Sequence, residues 1–162
     1  MTIVHSNYTL DLIGYFGPFL LAIYSIFHLW DQIGYLYGYM LFFIVNSTMN
    51  KIMKLLLKQP RPDDGINMPN ETHMYADIYG MPSGHAQSTT YSLAYLYNVK
   101  KTNIILLIGA ISYILTGFQR WNYKKHTIPQ LIIGGAIGLI SGFYSYKIVK
   151  LFIENKDFSS IL

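Results

Sequence analysis

The 162-residue chain has no cysteine, which excludes a disulfide framework, a thiolate zinc site and a cysteine nucleophile. Charge is scarce as well. Only 12% of the residues are Asp, Glu, Lys or Arg, about half the share of a soluble domain. Hydrophobic residues make up 52%, so too few charges remain to cover a water-facing surface, and both intrinsic disorder and an ordinary cytosolic globule are disfavoured. There is no internal repeat or low-complexity segment, and the length suits a single domain over residues 1–162. The net charge of +4 leaves nucleic acid and an anionic membrane surface open until the charges are placed.

What is present is a series of apolar spans. Leu12 to Trp30 and Gln32 to Asn50 are uncharged, and the second stays apolar through Leu55-Leu56-Leu57. Thr102–Gln119 and Thr127–Tyr146 supply two more. At 1.5 Å rise per residue each covers roughly 27–30 Å as a helix, the hydrocarbon thickness of a bilayer. Ser83–Val99 is shorter and more polar, and His85, Ser88, Thr89 and Ser92 share one helical face. Such a face belongs against other helices or a hydrated cavity, not against lipid. The expected fold is all-α, a multi-pass transmembrane bundle of about five helices. Gly134, Gly138 and Gly142 form a small-residue stripe suited to close helix packing. The fifteen tyrosines suit membrane interfaces, where ring and hydroxyl meet different solvents. The first span lacks the basic flank and small-residue cleavage site of a secretory signal.

Five spans place the joints 59–81 and 120–126 on one membrane face. The turns near Asp31 and Lys100-Lys101 fall on the other. Lys100, Lys101, Lys147, Lys150 and Lys156 favour that second face as the cytoplasmic one, against Lys51, Lys58, Lys124 and Lys125 near the first.

Three polar clusters converge on the first face. Lys54 precedes Arg61-Pro62, where two prolines end the helix. A guanidinium can clamp two phosphoryl oxygens and a lysine adds a mobile charge, although cations here also suit snorkelling to lipid headgroups. Gly80-Met81-Pro82-Ser83-Gly84-His85 opens the third span. Its free N–H groups suit phosphate, and His85 in the first turn can donate a proton. Capping plus an interfacial histidine is the plainer reading of that cluster alone. Arg120, His126 and Gln130 join the last two spans. Gln130 either accepts from the His126 ring and sets its tautomer or completes a capping box with Thr127. The two roles are expected to need different rotamers.

Lys54-x6-Arg61-Pro62, Pro82-Ser83-Gly84-His85 and Arg120-x5-His126 resemble the three signature motifs of the type 2 phosphatidic acid phosphatase superfamily. That superfamily includes membrane lipid phosphatases and soluble vanadium haloperoxidases. The motif core runs from 54 to 130. Gln119 and Gln130 stand where the family usually has Ser and Asp, and a neutral amide stabilises an imidazolium less than a carboxylate does. Glutamine at the second position is usual in the dolichyl diphosphatase branch, which His126-Thr-Ile-Pro-Gln130, Ala86-Gln87 and Lys58-Gln-Pro-Arg61-Pro62 resemble most.

The resemblance implies a membrane lipid phosphatase acting on a lipid phosphate, a polyprenyl diphosphate above all, in the bilayer. By it, His126 is the nucleophile, His85 the acid and Gln130 the partner of His126. Lys54, Arg61, Ser83, Gly84 and Arg120 bind the phosphate, and no metal, cofactor or nucleic acid is expected. The alternatives are a phosphatidate or phosphatidylglycerophosphate phosphatase, or a catalytically weak lipid-phosphate-binding membrane protein. Asp63-Asp64 reads as turn residues after Pro62 rather than as a metal site. Asn7-Tyr-Thr9 and Asn70-Glu-Thr72 are glycosylation acceptor patterns on the catalytic face. They point to a lumenal face, in an endoplasmic-reticulum-type membrane if the chain is eukaryotic.

Overall fold

The computed structural model describes residues 8–63, 65–66 and 78–159, with side chains to Asn155. Asn7, Asp64 and Asn70 lie outside the described residues, so both acceptor patterns and half of the acidic pair go unplaced. Five helices follow in order: α1 (Tyr8–Leu29), α2 (Ile33–Leu57), α3 (Gly84–Lys100), α4 (Asn103–Asn122) and α5 (Ile128–Ser159). The bundle is all-α, as expected, and α5 runs well past Tyr146. Helices α1, α2, α4 and α5 are long and apolar enough to cross a membrane. The protein is an integral membrane protein.

Helix α3 is the short polar span, and it stands at the centre, packed against all four others. Its polar side chains are used inside the bundle. Thr90 Oγ1 donates to the Gly135 carbonyl of α5 at 2.8 Å, and Ser92 Oγ lies 2.7 Å from Tyr39 Oη of α2. A chain of buried amides continues the tie. Asn50 Nδ2 donates to Gln87 Oε1 at 2.8 Å, and Gln87 Nε2 donates to Asn46 Oδ1 at 2.9 Å. Ser141 of α5 donates to the same Asn46 oxygen at 2.8 Å. With no water in a bilayer core, such groups must find each other, and here they lock α2, α3 and α5 in register.

The glycine stripe of α5 lies directly on the backbone of α3. A Cβ on Gly134 would stand 2.5 Å from the Ser83 carbonyl, and one on Gly142 2.5 Å from the Tyr91 carbonyl. On Gly138 it would collide with the Gln87 carbonyl and the Thr90 hydroxyl. Three tyrosines depart from the interfacial expectation. Tyr39, Tyr91 and Tyr95 are buried in the core, where Tyr91 and Tyr95 donate to the Tyr39 and Tyr35 carbonyls and Tyr39 pairs with Ser92. A hydroxyl with an internal partner no longer needs the interface. At the far end from the polar clusters, Lys100 Nζ meets Asp31 at 2.7 Å, joining the two turns expected on that face.

Adding one methyl group at Gly138 forces backbone apart. Gly138→Ala is expected to destabilise the detergent-solubilised protein by about 1–3 kcal/mol and lower its melting temperature. Gly117→Ala, with nothing within 4 Å of the new methyl, is expected to leave it unmoved.

Candidate active site

The close seating of α5 on α3 brings the second and third clusters together. Ser83 N donates to the Gln130 carbonyl at 3.1 Å, so the start of α3 is hydrogen-bonded to the first turn of α5. The tight turn after α4 does the same for the third cluster. Lys125 N and His126 N both donate to the Arg120 carbonyl, at 2.9 and 3.3 Å, with Lys124 in a left-handed conformation, φ 52°. The Arg120-x5-His126 spacing therefore folds the histidine back over the end of its own helix. Helix α2 ends at Leu57 with Lys58 left-handed. The chain then turns back across Pro60, which pairs with Tyr79 in an isolated bridge, and Gly80 N donates to the Gln59 carbonyl at 2.8 Å.

Lys54, Arg61, Gly84, His85, Arg120 and His126 line one end of a cavity of about 600 Å3. The other end is apolar and runs between α1 and α2 along Phe19, Ala22, Ile26, Met40, Phe43 and Ile44. Those two helices meet each other only sparsely. Ser83 is set apart from the other expected residues. It is fully buried, its hydroxyl faces the Ala86 N–H at 3.5 Å as the helix cap, and it does not line the cavity. Gln119 is buried too, against Gly14 of α1. Asp63 sits in a turn, and no cluster of His, Cys, Asp and Glu that could hold a metal occurs among the described residues.

The His126 ring is held from behind. Its Nδ1 lies 2.9 Å from the Gly80 carbonyl and 3.3 Å from Gln130 Oε1. A carbonyl can only accept, so Nδ1 carries the proton and Nε2 keeps its lone pair. The same Gln130 oxygen accepts from Thr127 N at 3.1 Å, and Gln130 N meets Thr127 Oγ1 at 3.4 Å. One rotamer thus serves both the capping box and the ring, contrary to the expectation that these roles exclude each other. Nε2 of Gln130 donates onward to Gln59 Oε1 and the Pro60 carbonyl, at 3.1 and 3.0 Å. The glutamine binds the chain after α2 to the histidine, while the nearer acceptor on the ring is Gly80. A Cβ on Gly80 would stand 2.5 Å from Gln130 Oε1.

His126 lies in the joint between α4 and α5, outside the membrane-spanning helices. Burial pushes its pKa down to about 3, helped by the cations of Arg61, Lys54 and Arg120 and opposed by the Gln130 contact. The ring is neutral at physiological pH, which leaves Nε2 free as a base or nucleophile.

His85 has a different partner. Arg120 Nη2 donates to His85 Nε2 at 2.8 Å, and since guanidinium only donates, that nitrogen is the acceptor. Tyr15 of α1 completes the group. Its ring lies 4.7 Å from the Arg120 guanidinium carbon and 5.7 Å from the His85 ring. Sequence reasoning missed Tyr15, since nothing in α1 marks which turn faces the clusters. It also missed Asn46 and Asn50, although two asparagines four apart in an apolar span are a signal that they point inward.

A family model described as the PAP2 superfamily matches residues 32–154. The chain is 30% identical over 122 residues to a dolichyldiphosphatase of Saccharomyces cerevisiae, covering 68% of this chain and 50% of that protein. It is also 30% identical over 120 residues to a palmitoyl-protein thioesterase–dolichyl pyrophosphate phosphatase fusion of Schizosaccharomyces pombe, covering 67% of this chain and 18% of the fusion. The chain thus spans at most about half the length of these relatives. In fold it is similar to the transmembrane PAP2 type phosphatidylglycerolphosphate phosphatase of Bacillus subtilis. The TM-score is 0.62 at 18% identity, over 94% of this chain and 80% of that one.

An unfolded histidine takes up its proton near pH 6.5, whereas folded His126 resists to about 3. Its contribution to stability is complete above pH 6.5 and is lost as pH falls toward 3. The melting temperature of the wild type is expected to fall between pH 7 and pH 5 more steeply than that of His126→Asn.

Proposed function

The chain belongs to the PAP2 superfamily, and from that premise we propose that it is a lipid phosphatase that removes the terminal phosphate of a polyprenyl diphosphate such as dolichyl diphosphate. The observation that carries this reading is a single cavity with a cationic, two-histidine head and an apolar groove at membrane depth. An amphiphile with an anionic headgroup and a hydrocarbon tail fits both ends. The dolichyldiphosphatase relatives and Gln130 support the polyprenyl diphosphate among the family's substrates.

In the proposed reaction, Lys54, Arg61 and Arg120 take the terminal phosphoryl oxygens, with the Gly84 N–H at the start of α3 beside them. His126 Nε2 attacks the phosphorus in line while the bond to the bridging oxygen breaks. The Gly80 carbonyl stabilises the Nδ1–H as the ring gains charge. His85 delivers a proton to the departing oxygen of the lipid monophosphate. Water then attacks the phosphorus of the phosphohistidine and gives a proton back to His85. Inorganic phosphate leaves, and both rings are restored. In this cycle the substrate oxygens draw the Arg120 guanidinium from His85 Nε2, which takes up a proton from the seated headgroup and so becomes the acid, and the departing inorganic phosphate carries that proton away again. Charge developing on the phosphoryl group is met by three fixed cations in a site shielded from bulk water, where such stabilisation is strongest. The three cations supply the neutralisation that metal ions provide in other phosphatases, so the reaction is expected to run without one.

The test is phosphate release from polyprenyl diphosphate by detergent-purified protein. His126→Ala is expected to abolish release above background, and His85→Ala to lower kcat about 10²–10⁴-fold, the range for loss of a general acid. EDTA is expected to change the rate little. Equal release by wild type and His126→Ala would overturn the proposal. Gly80→Ala, which pushes Gln130 aside, is expected to lower kcat more than it raises KM.

A further inference from the structure

Lys51 lines the same cavity but plays no part in the terminal phosphoryl site described above. It makes no hydrogen bond or ion pair within the described residues. Lys51 lies three residues before Lys54 on the cavity face of α2. Ser88 lies three residues after His85 on the cavity face of α3. Because α2 runs toward the head of the cavity and α3 runs away from it, both are displaced the same way, about 4.5 Å toward the apolar end. Ser47, one further turn down α2, also lines the cavity, but its hydroxyl donates to the Phe43 carbonyl at 2.9 Å, and beyond it the walls are Ile44, Phe43 and Met40.

Down the cavity, the order is therefore three cations with two histidines, then one cation with the Ser88 hydroxyl, then hydrocarbon. An apolar tail has no use for the middle layer, and an ammonium facing a lipid-lined groove is costly without an anion beside it. A headgroup with one phosphate ends at the first layer. We infer that Lys51 and Ser88 form a second anion subsite that holds the inner phosphate of a lipid diphosphate while its outer phosphate lies between Lys54, Arg61 and Arg120. The two phosphorus atoms of a diphosphate are joined through one bridging oxygen, a separation that one helical turn easily spans. Lys51 then also lies beside the leaving group, where charge grows as the bridging bond breaks. It favours diphosphate over monophosphate substrates both in binding and in departure. This rests on the lipid phosphatase reading of the site and names the chemical feature by which that site selects its substrate.

The test compares farnesyl diphosphate with farnesyl monophosphate, which share a tail and differ by one phosphate. Lys51→Met is expected to lower the diphosphate-to-monophosphate ratio of kcat/KM at least tenfold, Ser88→Ala less, and Lys51→Arg is expected to restore most of the ratio. A proportional loss on both substrates, or none on either, overturns the inference and leaves Lys51 as an ordinary interfacial lysine. Binding is read separately, with a farnesyl methylenediphosphonate that cannot be hydrolysed at the bridge. Its affinity is expected to fall at least tenfold in Lys51→Met, and unchanged affinity overturns the inference by itself. Failure of the wild type to release phosphate from either substrate would instead overturn the phosphatase reading, while the binding measurement still decides the subsite.

Discussion

Everything at the active site depends on how closely α5 lies on α3. Three glycines of α5 face carbonyl groups of α3 with no room for a Cβ, so the two backbones approach as near as packed helices can. In that position Ser83 N reaches the Gln130 carbonyl. The start of α3, which carries Gly84 and His85, thereby shares one hydrogen-bonded corner with His126. A lipid tail cannot drive this association, since the bilayer is as apolar as the helix faces. Shape fit, the Thr90–Gly135 bond and the Asn46–Gln87–Asn50 chain hold it.

That rigidity serves an electrostatic end. Lys54, Arg120 and His126 are buried and His85 is half-buried, an arrangement that hydrocarbon would not tolerate without compensation. The cations make the site wait for an anion, and they add to the burial that keeps His126 neutral. The Gly80 carbonyl then decides which nitrogen is bare. Where a carboxylate would pull the histidine toward its charged form, a backbone carbonyl and a glutamine amide do so less. The three nearby cations and the anionic substrate carry the remaining electrostatics. The Arg120–His85 contact, backed by the Tyr15 ring, keeps the second histidine in an acceptor state beside the first.

Much of this is legible in the residues themselves. The spans, the central place of the polar Ser83–Val99 segment and the glycine stripe all follow from period and composition, because membrane helices have few ways to satisfy their backbones. The three clusters and their common face follow from the span count. Other features leave no mark on a side-chain pattern. The principal partner of His126 is the Gly80 carbonyl, and a carbonyl looks the same in every residue. Tyr15 reaches Arg120 from a helix whose rotation depends on its packing against α4. Tyr39, Tyr91 and Tyr95 look like interfacial tyrosines until their hydroxyls are seen to have partners in the core. Gln130 fills two roles from one rotamer because the turn before α5 puts the His126 ring beside the capping box.

The central claim is that His126 Nε2 takes the phosphoryl group. Rapid acid- and alkali-quenched turnover of polyprenyl diphosphate labelled in its terminal phosphate tests it most directly, since a phosphohistidine survives alkali and is lost in acid. Alkali-stable, acid-labile label is expected on the peptide that contains His126, formed and discharged at rates consistent with turnover. Phosphate release at the full rate with no label ever reaching that peptide would contradict it.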